Sequence, residues 1–170
     1  FIADLGLSAY DADVLTVEKA AADFFEAVAV GRDAKLAANW VIHELFAVLN
    51  KAGLSIADSP VSSDDLGKLV SLIADDTISG RIAKDVFEVM VVEGGDPETI
   101  VEAKGLKQIT DTDEIEAMID VLIAENPDQA QQYKDGNTKV AGWFVGQMMK
   151  ASQGKANPQM VNELLQKKLG

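Results

Sequence analysis

Between Ala34 and Lys51 the chain carries apolar side chains around most of a helix. Leu36, Ala37, Trp40, Val41, Ile42, Leu45, Phe46, Val48 and Leu49 leave one stripe that is not apolar, holding His43 with Asn39 and Asn50. A helix apolar over so much of its circumference must be surrounded by others, so this segment is expected at the centre of a first domain. Asp33 is placed to cap it and Gly53 to stop it.

Similar punctuation divides the rest of the chain into short helices. Asp11 or Ser8 can cap a brief one through Leu15, and Thr16 a second that runs to about Val30 and ends at Gly31. Ser62 or Ser63 opens a helix to about Ala74, and Ser79 another that stops at Gly94-Gly95. Asp96-Pro97 sets a cap and a first-turn proline in their favoured order, with Gly105 as terminator. Residues Leu106–Thr110 form the best linker. Beyond it the signals predict helices from Asp111 or Thr112 to Asn126, from Pro127 to Lys134, from Asn137 to Gln153 with Gly154 as stop, and from Pro158 to Leu169 capped by Asn157. No stretch alternates long enough for a strand. The expected class is all-α, in two small helical modules over 1–105 and 106–170, the second a compact bundle of short helices.

Charge is unevenly spread. From Lys134 onward six lysines face two acids, Asp135 and Glu163, whereas the first 133 residues hold 26 acids against nine basic residues. A basic tip on an acidic body suggests a localised surface for a polyanion. The 170 residues contain no cysteine, which removes disulfides and thiol chemistry and fits a reducing cytoplasm. No apolar run is long enough for a membrane span, and no leader pattern is seen. The chain opens on Phe1-Ile2 and reads as a piece of a longer protein.

The segment 137–153 is the most informative about a site. At about 100° per residue, with Lys139 at zero, Gly146 falls near −20°, Lys150 near 20°, Trp143 near 40° and Gly142 near −60°. Val140, Ala141, Phe144, Val145, Met148 and Ala151 cluster on the other side. Two helical glycines cost about 1 kcal/mol each relative to alanine, so something should require their missing side chains. Two readings are open. In one, an RNA backbone approaches closely, with Lys139 and Lys150 on phosphates and Trp143 available to stack. In the other, a second helix packs on Gly142 and Gly146. The loop that follows, from Gly154 to Pro158, sets Lys155 and the cap Asn157 at a helix N-terminus, which suits phosphate binding or simple turn chemistry.

Other candidates are bland. His43 is the only histidine and has no partners for a metal cluster or a triad. The acids at Asp64-Asp65 and Asp111–Glu114 sit at predicted helix starts, where they complement the dipole, and lack calcium-loop spacing. Gly154-Lys155 lacks the remainder of a P-loop. No catalytic residue and no metal site is expected.

Seven segments in order carry a family resemblance: Leu7–Thr16, Ala38–Leu45, Ile78–Lys84, Gly105–Ile109, Val145–Lys150, Gly154–Pro158 and Val161–Leu165. Together they resemble the C-terminal GatB/YqeY-type helical region of the tRNA-dependent amidotransferases, the region that ends their GatB component. The resemblance covers essentially the whole chain. It implies a non-catalytic, cytoplasmic tRNA-binding appendage to a ligase of protein biosynthesis. A catalytic domain before this region would use ATP and Mg²⁺ to activate the carboxylate of Glu-tRNA(Gln) or Asp-tRNA(Asn). Ammonia from a partner amidase would complete the conversion to Gln-tRNA(Gln) or Asn-tRNA(Asn). Neither cofactor would bind this part. Residues 1–105 would connect, and 106–170 would contact the outer corner of tRNA on its D-loop side. Lys139, Gly142, Trp143, Gly146, Lys150, Lys155 and Asn157 are the expected tRNA-binding residues, with the amidotransferase A and C subunits as partners of the whole protein. A protein of this composition could instead be an acidic helical docking module without RNA contact.

Overall fold

The computed structural model describes residues 1–109, 112–137 and 139–170. The protein is all-α, and among the described residues the one β-type pairing is an isolated parallel bridge between Ile109 and Ala156. Two compact units emerge, one of Phe1–Thr77 with Ala83–Gly105 and one of Ile78–Ile82 with Leu106–Gly170.

The first unit opens with α1 (Ile2–Leu5), α2 (Ala9–Thr16) and α3 (Lys19–Ala29). Ser8 is the cap of α2, its hydroxyl accepting the Asp11 N–H at 3.0 Å. Thr16 does not cap the next helix as the sequence suggested. It closes α2 instead, its hydroxyl donating back to the Ala12 carbonyl at 2.7 Å, and α3 starts after Glu18, which makes no side-chain cap. A threonine within reach of its own i−4 carbonyl satisfies itself locally and is lost as a cap.

The apolar segment forms one long helix in three parts: α4 (Ala34–Asn39), a π-type stretch (Trp40–Leu45) and α5 (Phe46–Ala52). Asp33 caps it through the Leu36 N–H at 2.8 Å, and Gly53, at φ 66°, ends it. Ala37, Ala38, Trp40, Val41, Leu45 and Leu49 are buried, and Trp40 meets Phe87 edge-on at 5.8 Å. α4 packs on α3, and the π stretch on α2. The helix is not fully surrounded, however: Lys35, Asn39, His43, Ala47, Asn50 and Lys51 are exposed.

α6 (Ser63–Ala74) lies against α3 and α4 and is joined by α8 (Pro97–Ala103), with α7 (Gly80–Glu93) between them in sequence. Ser62 and Asp65 cap α6 reciprocally, hydroxyl to carboxylate at 2.7 Å and N–H to hydroxyl at 3.1 Å. Ser79 starts α7 by accepting the Ile82 N–H, and Asp96 starts α8 by accepting the Thr99 N–H at 3.0 Å. The Arg32 guanidinium donates to Ser71 Oγ at 2.9 Å and to the carbonyls of Val28 and Val30 at 3.1 and 3.2 Å. It lies over Gly67 of α6, where a side chain would meet it.

The second unit contains α9 (Thr112–Glu125), α10 (Pro127–Lys134), α11 (Lys139–Ala151) and α12 (Pro158–Leu169). α9, α11 and α12 pack on one another, with α10 against all three. Ile115, Ile119, Phe144, Met148, Val161 and Leu165 fill the core, each 0% exposed. The linker expected at Leu106–Thr110 is tied down at Ile109, whose N–H donates to the Lys155 carbonyl at 2.7 Å. Thr110, the alternative helix start Asp111 and Thr138 lie outside the described residues.

Candidate nucleic-acid interface

α11 carries the predicted two-faced pattern with modifications. Val140, Phe144 and Met148 are buried, Ala141 and Val145 are half-buried, and Ala151, expected on the core side, is exposed. The helix stops at Ala151, two residues before the expected Gln153, so Ala151 sits in a last turn that has left the core. On the other face Lys139, Gly142, Gly146 and Lys150 are all exposed.

Among the described residues no second helix packs on the glycines. A Cβ placed on Gly142 or on Gly146 would meet nothing within 4 Å. Their helical cost therefore has no compensation from packing among the described residues. A bare backbone strip on a helix, flanked by lysines, admits a large rigid partner more closely than a side-chain-covered surface does. Lys139 and Lys150 have no carboxylate partner among the described residues, and no acid stands on α11 itself.

Trp143 lies at the margin of this stripe, as its angle suggested. Its ring is half-buried, packed on the bundle core and edge-on to Phe144 at 5.1 Å and 81°.

The loop from α11 to α12 is held at every residue. Gln153 takes a left-handed conformation at φ 55°, and Gly154 follows at φ 82°. The Gly154 N–H donates to the Met149 carbonyl at 2.7 Å and the Gln153 N–H to Lys150 at 3.2 Å, the paired bonds of a Schellman ending. The sequence points to Gly154 for the left-handed stop, since glycine is its usual occupant, and gives no sign of Gln153. Ser152 is 5% exposed, and its hydroxyl accepts the Ala156 N–H at 3.0 Å. Lys155 donates its N–H to the Ser152 carbonyl at 3.1 Å and accepts from Ile109, so its backbone is fixed while its half-buried side chain has no carboxylate partner among the described residues. Asn157 caps α12, its side-chain oxygen accepting the N–H groups of Gln159 and Met160 at 2.9 and 3.3 Å. That oxygen is engaged in turn chemistry.

Lys168, one of the six lysines of the basic tip, is held by carboxylates. Its ammonium lies 2.6 Å from Asp120 and 2.9 Å from Glu116 on α9. The hydrogen bonds to Asp120 and then Glu116 raise its pKa above the usual lysine value. It fastens α12 to α9 and is not available to a ligand. Lys167, beside it, is exposed.

His43 is exposed, and among the described residues no three His, Cys, Asp or Glu side chains converge as metal ligands. Among the described residues no helix is long and apolar enough to cross a membrane.

Comparison with known proteins agrees with the family that the seven segments resemble. The GatB domain (GatB_Yqey) matches residues 23–169. The B subunit of the aspartyl/glutamyl-tRNA(Asn/Gln) amidotransferase of Rhodospirillum rubrum is 60% identical over 169 residues, covering 99% of this chain and 35% of that protein. The corresponding proteins of Methylorubrum extorquens and Rhizobium meliloti are 63% and 59% identical over 170 residues, covering all of this chain and 34% of each protein. The chain thus spans about a third of the length of these relatives. On the extent of both matches, it belongs to the GatB domain family.

Proposed function

We propose that this chain is the tRNA-binding, non-catalytic C-terminal region of an amidotransferase GatB protein, and that α11 with its following loop is the surface that meets the RNA. The observation that carries the reading is the open lysine–glycine–glycine–lysine face. It has two helical glycines with nothing over them, lysines without carboxylate partners among the described residues, and a neighbouring lysine on a hydrogen-bonded loop. Structured RNA is recognised largely through its backbone and shape, which needs cations and close approach more than base-specific donors.

In this reading Lys139, Lys150 and Lys155 contact phosphates, and Gly142 and Gly146 admit the sugar–phosphate chain. Asn157 fixes the direction of α12, and Trp143 shapes the margin of the site. The contact falls on the outer corner of tRNA, on the D-loop side. Carboxylate activation with ATP and Mg²⁺, and the use of ammonia, belong to the rest of the GatB protein and to its A and C partners. The present residues hold and orient the RNA.

The test is fluorescence anisotropy with an unmodified tRNA(Gln) transcript across salt concentrations. Replacing three phosphate-contacting lysines should reduce the slope of log K against log salt by about 2 to 2.7. Lys139→Gln/Lys150→Gln/Lys155→Gln is expected to show that loss with an unchanged unfolding midpoint. Equal affinity and equal slope in the triple variant would remove this face from the interface and favour a protein-docking role.

A further inference from the structure

Residues Phe1 to Gly105 include nineteen acids and eight basic residues. Most of the first unit is accordingly a poor surface for a polyanion. One strip on it is different. Along the helix formed by α4, the π stretch and α5, the exposed residues from Lys35 to Lys51 are Lys35, Asn39, His43, Ala47, Asn50 and Lys51, with no acid among them. Lys19, Lys68 and Lys84 are each held by a carboxylate: Asp23, Asp96 and Glu44 respectively. Lys35 and Lys51 have none among the described residues. Glu44, the acid within this segment, is half-buried and turned to Lys84 at 2.8 Å.

The π stretch makes these six residues a strip. In an uninterrupted α-helix, Lys51 would stand about 160° around the axis from Lys35, nearly on the opposite face. A turn closed by i→i+5 bonds holds about one more residue, so each residue in it advances by roughly 80°. Over Trp40–Leu45 that correction brings Lys51 to within about 50° of Lys35 and sets Asn39, His43, Ala47 and Asn50 within roughly 60° of it on either side. The buried residues Ala37, Trp40, Val41, Leu45 and Leu49 gather on the opposite side. The two lysines end up on one face, roughly 22 to 24 Å apart along the axis, with uncharged hydrogen-bonding groups between them.

We propose that this strip is a second contact for the RNA backbone, with Lys35 and Lys51 on phosphates and Asn39, His43 and Asn50 donating to phosphate or 2′-hydroxyl oxygens. The partner class rests on the function proposed above; the strip itself does not depend on the tail surface. Charge chooses the occupant. A cationic band whose own exposed residues include no acid, on an otherwise anionic unit, is complementary to a phosphate chain. Its length spans several successive phosphates. Ala47 in the middle leaves the approach unobstructed.

The experiment uses the 170-residue chain and an unmodified tRNA(Gln) transcript. Two lysine–phosphate contacts correspond to a decrease of about 1.5 in salt slope and roughly 15- to 30-fold in affinity at about 0.15 M salt. Lys35→Gln/Lys51→Gln should show both losses with an unchanged circular-dichroism melt, since all six positions are exposed. Ala47→Glu, which sets a carboxylate at the centre of the strip, should weaken binding in the same range without touching either lysine. If both strip variants bind as the parent does while the tail triple variant is weakened, the strip is no RNA contact and the tail assignment stands. Weakening by the strip variants with an unaffected tail triple supports the strip and overturns the tail face. No effect of any variant overturns both.

Discussion

Glycine-to-alanine substitutions at three helical positions should give opposite signs for reasons visible in the structure. Gly142 and Gly146 have open space where a Cβ would go. Alanine there recovers helix propensity, and each change should stabilise the second unit by about 0.8–1.0 kcal/mol. At Gly67 the same Cβ would lie 2.8 Å from Cζ and Nη1 of Arg32. Ordinary contact would require the guanidinium to retreat by about 0.6 Å or more. Its donors are fixed by bonds of 2.9, 3.1 and 3.2 Å to Ser71, Val28 and Val30. A hydrogen bond from a charged donor contributes about 1.5–3 kcal/mol, so losing even one outweighs the propensity gain. Gly67→Ala should therefore destabilise the first unit by about 1 kcal/mol net. With Arg32 truncated to alanine the obstruction is gone, and the same substitution should become stabilising, giving a coupling of about 2 kcal/mol in the double-mutant cycle. The protein has two tryptophans, Trp40 in the first unit and Trp143 in the second, so urea titration of Trp143→Phe and Trp40→Phe backgrounds reads each unit separately. A stabilising Gly67→Ala in the presence of Arg32, or a sign that does not change when Arg32 is removed, refutes the reasoning. Under the proposed function the tail glycines add a second readout: Gly142→Ala/Gly146→Ala should gain stability and lose RNA affinity together.

Three further outcomes follow from local chemistry. The Lys68 ammonium, hydrogen-bonded to Asp96, and then the Thr99 N–H hold the Asp96 carboxyl below its usual pKa. That contribution is fully present above the unfolded-state value and is lost as pH falls through the lowered folded-state value. Asp96→Asn, which keeps a capping oxygen, should thus be less stable than the parent at neutral pH, and urea titrations should show the gap closing below about pH 4. Ser152→Ala strands the buried Ala156 N–H and should cost the second unit about 1–2 kcal/mol, read by Trp143 emission. Gln153→Gly relieves a non-glycine residue at φ 55° and should stabilise the same unit by about 0.4–1 kcal/mol in the same titration.

Helix existence and most helix ends were legible because the signals are local. Ser8, Asp33, Ser62, Asp96 and Asn157 each cap through an N–H two or three residues away, within their own segment of sequence. What escaped depends on partners elsewhere or on competing local bonds. Thr16 chose its own helix's carbonyl over the next helix's N–H groups. Gly67 reads as an ordinary weak helix position until Arg32, 35 residues away in sequence, is seen lying on it. Lys168 counts toward the basic tip until α9 supplies two carboxylates. At the candidate interface the wheel placed Lys139, Gly142, Gly146 and Lys150 on one face. It could not separate an open glycine face from a packed one, because that depends on which helices lie nearby.

The lysines divide by what surrounds them, and this division bears on how an acidic protein could hold RNA at all. Lys19, Lys68, Lys84 and Lys168 each sit on a carboxylate, where the two charges largely cancel and little field remains at a distance. Lys35, Lys51, Lys139, Lys150 and Lys155 sit where no carboxylate reaches them among the described residues. That separation is kept although acids outnumber bases almost two to one. The screening length at physiological salt is about 8 Å, comparable to the width of a helix. A lysine on an acid-free helix face is therefore felt by a phosphate in contact with that face, whereas the acids around the next turn are partly screened from it. An acidic body does not oppose binding at such a face; it restricts binding to that face. That is why the π stretch matters: without its extra residue Lys35 and Lys51 would face different directions and could not meet one phosphate chain.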